Sequence, residues 1–132
     1  MSRVGQSWGR YPDTRQSIVM VADRRAALPE TDTSMLPYGN GRSYGDSCLN
    51  QDGTLLRTRD LDRYIRFDPS TGLLDCEVGV LFSEILDLVV PQGWFLPATP
   101  GTKFVTVGGA IANDVHGKNP HKSGTSVRHV QA

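Results

Sequence analysis

Net charge is missing from this sequence: 14 basic side chains balance 14 acidic ones, so composition supplies no electrostatic case for nucleic acid or an anionic membrane as partner. Cysteine is scarce. Cys48 and Cys76 form no CxxC pair and have no histidine at ligand spacing, which leaves two reduced thiols and neither a disulfide framework nor a metal centre. Long apolar runs are absent too, since residues 18–22 and 88–91 fall far short of the ~20 that a membrane-crossing helix needs. The opening stretch, Met1 to Ser7, lacks the apolar core of a secretory signal, and a cytoplasmic location is the expectation. No repeat, low-complexity tract or linker interrupts the chain.

What remains is a soluble, globular composition over 132 residues, enough for one compact domain. Residues 17–22 form a short β-branched run and predict a buried strand, and residues 23–28 predict a helix capped by Asp23 and ended by Pro29. Strands are expected again at 35–39 and 54–57. Residues 64–67 and 73–78 flank Asp68-Pro-Ser-Thr-Gly72 and predict a hairpin. From Leu81 the period becomes helical: Leu81, Phe82, Ile85, Leu86, Leu88 and Val89 cluster on one side, with Ser83, Glu84 and Asp87 opposite, until Pro91 and Gly93 stop the helix. Residues 94–96 predict a strand, 107–112 a short helix, and 130–132 the start of another strand. The elements do not alternate regularly, so the expected class is α+β, a small mixed sheet with flanking helices.

The abundant residue is glycine, 14 in all, gathered mostly in residues 39–45 and 101–124. In the first stretch, Gly39-Asn-Gly-Arg-Ser-Tyr-Gly45, glycine allows positive φ and lets backbone N–H groups approach an anion; Arg42 adds charge and Ser43 a hydroxyl. An ordinary tight turn explains the same residues equally well. The spacing is neither GxGxxG nor GxxxxGK[ST], which removes motif support for Rossmann and P-loop folds. The second stretch runs from Pro100 to Asn119. Its small residues leave a groove, Thr102, Thr106 and Asn113 offer hydrogen bonds along it, and the amides of Gly108 and Gly109 are expected at a helix start that favours a diphosphate. A glycine-rich packing helix beside a basic loop is the other reading.

Three segments together carry a family resemblance: Ser7-Trp-Gly-Arg10, Gly41-Arg-Ser-Tyr-Gly-Asp46, and Pro100-Gly-Thr through Val107-Gly-Gly-Ala-Ile-Ala112 to His116-Gly-Lys-Asn119. Their residues and spacing resemble the FAD-binding domain of the vanillyl-alcohol-oxidase (PCMH-type) flavoproteins, in particular the branch acting on polyprenyl-phosphate ribose. The resemblance implies that residues 1–132 are the N-terminal part of one such domain, with the second lobe incomplete and the substrate domain absent. Gly39, Asn40, Gly41, Arg42, Ser43 and Tyr44 would form one cofactor cradle. Gly101, Thr102, Thr106, Gly108, Gly109, Ala112, Asn113, His116 and Gly117 would form the second.

Many relatives bind flavin covalently through a histidine in the first loop. Arg42 stands at that position, and a guanidinium is no nucleophile at neutral pH, so the resemblance implies non-covalent FAD. His116 and Lys118 are the implied catalytic pair, His116 bonding a substrate or flavin oxygen and Lys118 holding a phosphate or steadying the reduced flavin anion. His116 as a structural loop residue, and Tyr44 either facing substrate or packing, remain open. His121 and His129 read as surface or structural histidines, and Trp8 as packing the N-terminus onto the domain. The implied reaction oxidises a secondary alcohol of a sugar-like substrate, and the resemblance implies a short-chain reductase as partner. A sugar-alcohol or aldonolactone oxidase, or a non-catalytic nucleotide-binding module, are the alternatives.

Overall fold

The computed structural model describes residues 4–117, 124 and 126–131. The chain divides into two compact units, Met1–Leu61 and Asp62–Ala132.

The first unit is built on three short strands, β1 (Ser17–Met20), β2 (Met35–Tyr38) and β3 (Thr54–Arg57). They form one parallel sheet in the order β1-β3-β2, so the last strand inserts between the first two. The ladder extends past the strands through Ser17 N donating to Gly53 O (2.9 Å) and Thr58 N donating to Tyr38 O (2.9 Å). A central parallel strand is apolar on both faces because both are covered. Thr54-Leu-Leu meets that demand, with Leu55 fully buried against Tyr38, Cys48 and Leu49. The helix expected at residues 23–28 is absent. Asp23 does accept the Arg25 amide at 2.9 Å, and Ala26 N reaches Asp23 O, but this single turn is not continued. Residues 22–28 are exposed, so no apolar face offsets the cost of nucleating a helix.

In the second unit, β4 (Tyr64–Asp68) and β5 (Leu73–Cys76) pair antiparallel as the expected hairpin, with an irregularity between Tyr64 and Arg66. Asp68 organises the turn by accepting from Ser70 N (2.9 Å) and Ser70 Oγ (2.7 Å). Helix α1 (Phe82–Val89) buries Phe82, Ile85 and Val89, and Glu84 Oε2 accepts from Leu81 N at 2.9 Å to close its first turn. The helix tightens into a 3-10 turn at Val90–Gln92 and stops where Gly93 takes φ 83°. Helix α2 (Val107–Ala112) follows. Val80, Phe82, Ile85, Val89 and Ala110 form the buried core.

The strand expected at residues 94–96 does not form. Trp94 N instead bonds Val89 O (3.1 Å), and its indole N–H donates to Pro69 O (2.8 Å), which pins the chain to the hairpin turn. The strand expected from Val130 is also absent: Ser126–His129 is a 3-10 turn, residues 130 and 131 belong to no element, and Ala132 lies outside the described residues. Among the described residues, no helix is long and apolar enough to cross a membrane.

Both cysteines are free thiols. Burial raises Cys76 from 9.0 to about 11, assisted by the charges of Asp75 and Glu77. The stability that this neutral thiol contributes is intact below pH 9 and is lost as pH climbs through about 11. At pH 8 it holds roughly a hundredfold less thiolate than an unshifted thiol. Iodoacetamide is therefore expected to label Cys76 far more slowly in the folded chain than in urea; equal rates at pH 8 would contradict the burial.

Candidate functional site

The first glycine loop leaves β2 at Tyr38 and is shaped by what surrounds it. Tyr38 is buried, and its hydroxyl donates to Gln6 O at 2.6 Å. Gly41 sits against that pair with φ 66°, and a Cβ there would collide with both the Tyr38 hydroxyl and the Gln6 carbonyl oxygen. Burial raises the Tyr38 phenol above its usual value, with a further contribution from Cys48. Arg42 places its guanidinium over the Trp8 ring, 5.7 Å from the centroid, while Trp8 N donates to Ser43 O at 3.0 Å.

Two residues of the expected cradle differ in their surroundings. Ser43 directs both its hydroxyl and its backbone toward the thiol of buried Cys48, a bond that partly offsets the upward push of burial on that thiol. Tyr44 is exposed, with its backbone carbonyl accepting from Ser47 Oγ at 3.1 Å. The N–H groups of Gly41, Tyr44 and Gly45 donate to no partner among the described residues. Uncommitted amides in a positive-φ loop beside one guanidinium are a donor set that suits a diphosphate.

The second stretch is held by main-chain pairing. Leu81 and Thr106 form an antiparallel bridge, Phe82 N donates to Val105 O (2.9 Å), and Ser83 N to Lys103 O (2.8 Å). Thr106 is buried and caps α2, its Oγ1 accepting from Gly109 N at 3.0 Å. Gly108 N donates to Val78 O at 2.8 Å. The amides expected to bind a diphosphate at this helix start are thus spent inside the fold, because the bridge draws Val78 and Val80 alongside. What Gly108 and Gly109 provide is closeness: a Cβ on Gly108 would lie 3.1 Å from Val78 Cβ.

Gly101 is exposed with open space where a Cβ would stand, and Thr102 Oγ1 accepts from Phe104 N at 3.2 Å. Past α2, Asn113 Nδ2 donates to Gly109 O (2.8 Å), and the chain turns at Asp114, φ 46°. Gly117 returns to Thr99, whose carbonyl oxygen would lie 2.7 Å from a Cβ at that position. The structure therefore brings the His116 end of the stretch beside the Pro100-Gly-Thr end. His116 is exposed, with Nδ1 3.1 Å from Gly117 O, and Ala112 is exposed on the last turn of α2. Lys118 and His121 lie outside the described residues; His129 is exposed.

Thr106→Val keeps the volume but removes the cap, leaving the Gly109 amide without an acceptor. It is expected to cost about 1–2 kcal/mol, read as a lower urea midpoint at unchanged m.

A family model described as an FAD binding domain matches residues 15–132. This chain belongs to that family. FAD is accordingly its cofactor, and the first loop's donor set fits the diphosphate half of that molecule. Along 95% of the chain, it is 36% identical to decaprenylphosphoryl-β-D-ribose oxidase of Mycolicibacterium smegmatis, of which the match covers 29%. It is 27% identical to D-2-hydroxyglutarate dehydrogenase of Escherichia coli over 91% of the chain and 12% of that protein. Among solved structures, alkyldihydroxyacetonephosphate synthase superposes with TM-score 0.59 at 22% identity, over 71% of this chain and 19% of that one, a likeness of fold. The chain spans less than a third of the curated relatives' length. The FAD-binding family assignment and the α+β class agree with the expectations from sequence. Sequence reasoning missed Gln6 and Tyr38 as loop walls; a tyrosine ending a strand just before Gly-Asn-Gly is the available signal.

Proposed function

We propose that this chain is the cofactor-holding front part of an FAD-dependent oxidoreductase that oxidises a secondary alcohol of a sugar-like substrate, foremost a polyprenyl-phosphate pentose. The observation that carries this is the 36% identity, sustained over 95% of the chain, to an oxidase named for decaprenylphosphoryl-β-D-ribose. Bound FAD supplies the hydride acceptor, so that a carbinol becomes a ketone. The chain's own residues do the holding. Arg42 and the free amides of Gly41, Tyr44 and Gly45 take the diphosphate, joined by Gly39 and Asn40, while the Ser43 hydroxyl, turned to the Cys48 thiol, shapes the loop from behind.

In the second unit, open Gly101, Thr102 and the small residues Gly108, Gly109 and Ala112 admit the cofactor closely, with Thr106 and Asn113 fixing the backbone around it. His116 keeps Nε2 for a substrate or flavin oxygen, Gly117 seats that histidine's loop, and Lys118 carries a phosphate or charge-steadying role. We assign the base that takes the alcohol proton to none of these residues. Retention is non-covalent because Arg42 cannot form the flavin bond, and acid precipitation of the protein should release all its flavin. A cytoplasmic enzyme with a reductase partner that consumes the ketone completes this reading.

Two dehydrogenases named for D-2-hydroxyglutarate and D-lactate match at 27% and 28% identity, which keeps 2-hydroxy acids as the second substrate class. The test is anaerobic. A polyprenyl-phosphate pentose should bleach the visible flavin band of the full-length protein, and D-2-hydroxy acids should not. The reverse result selects the hydroxy-acid class, and no bleaching by any alcohol leaves a non-catalytic flavin module.

A further inference from the structure

We propose that residues 5–11 are a working part of the first FAD loop, with Trp8 as the positioning residue that holds Arg42 ready for the cofactor's diphosphate. The inference rests on the FAD reading above and adds a segment to it, since the family match begins only at residue 15.

Three joints tie this segment to the loop. Trp8 N donates to Ser43 O at 3.0 Å, the Trp8 ring lies 5.7 Å from the Arg42 guanidinium carbon, and Gln6 O accepts the Tyr38 hydroxyl at 2.6 Å. Gly41 sits against that last pair, with no room for a side chain between loop and segment. The segment is anchored behind. Gln16 Nε2 donates to Gly5 O (2.8 Å) while Gln16 Oε1 accepts from Asn50 N (2.9 Å), and Ser7 is buried at 1% exposure.

Trp8 itself is 54% exposed, so filling a core is not its principal work. The guanidinium lies within the ~6 Å reach of a cation–π contact. An arginine on a long, rotamer-rich stem loses freedom when it binds an anion; one already laid on an aromatic platform loses less. The ring thus pre-organises the loop's one cation, and the backbone bond to Ser43 keeps the ring in place.

The test compares FAD affinity, by quenching of flavin fluorescence, with the thermal midpoint of the flavin-free full-length protein. Trp8→Ala should weaken FAD binding by about tenfold, whereas Trp8→Phe, which keeps a platform, should stay within about threefold. In an Arg42→Gln background, Trp8→Ala should add less than about twofold, because the cation it positions is gone. The flavin-free midpoints of Trp8→Ala and the parent should nearly coincide. Parent-like affinity in Trp8→Ala overturns the inference alone. Equal losses in Trp8→Ala and Trp8→Phe, or a full additive loss without Arg42, overturn it as well. A parent protein that never takes up FAD removes the FAD reading and this inference together.

Discussion

Gly41→Ala is expected to destabilise the chain by about 2–4 kcal/mol and to abolish retention of FAD. Two costs add at this position. The φ of 66° is left-handed and strains any L side chain, and the new methyl would run into the Tyr38 hydroxyl and the Gln6 carbonyl oxygen. The collision cannot be relieved cheaply, because moving the Tyr38 ring breaks a 2.6 Å hydrogen bond and disturbs a residue packed in the core. Gly45 is the matched control. Its φ is 60°, but nothing stands within 4 Å of a Cβ there. Gly45→Ala should therefore show only the backbone cost, about 1 kcal/mol, and should keep its flavin. Urea unfolding and flavin absorbance of both variants separate strain from collision; equal losses would show that the Gln6–Tyr38 wall is unimportant.

Leu55→Ala should cost about 3 kcal/mol, within the range measured for buried leucines in other proteins. Leu55 sits on the central strand with 0% exposure, between register partners Ile18 and Leu36 and against Tyr38, Cys48 and Leu49. A parallel sheet of three short strands has few ways to close the resulting cavity. The loss is a large fraction of the total stability of a small domain. Ile18→Ala, on the 41% exposed edge-strand residue, should cost about 1 kcal/mol or less. Similar midpoints for the two variants in urea would contradict the covered central strand.

Elements with strong local signals are legible in the amino-acid sequence. The helix at Val107–Ala112 falls where small residues follow Thr106, and the hairpin at Tyr64–Asp68 and Leu73–Cys76 follows from its Asp-Pro-Ser-Thr-Gly turn. The parallel order β1-β3-β2 is not legible, since short apolar strands carry no mark of which neighbour they will choose. Helix formers at residues 23–28 mislead because propensity without a buried face does not sustain a helix. The glycine stretches mark two loops, but not which of their amides are free. Gly108 and Gly109 look like anion binders in sequence, yet the Leu81–Thr106 bridge and the Thr106 cap claim their donors. The walls of the first loop come from elsewhere in the chain, Gln6 and Tyr38, and only folding puts them beside Gly41.

The central claim, that these glycine loops hold FAD without a covalent bond, is tested most directly by one absorbance spectrum. The full-length protein is incubated with FAD, freed of loose flavin, measured, then precipitated with acid. The expected result is a protein-shifted flavin spectrum before precipitation and all of the yellow colour in the supernatant after it. A colourless protein would contradict the cofactor assignment, and flavin that stays with the pellet would contradict the role given to Arg42.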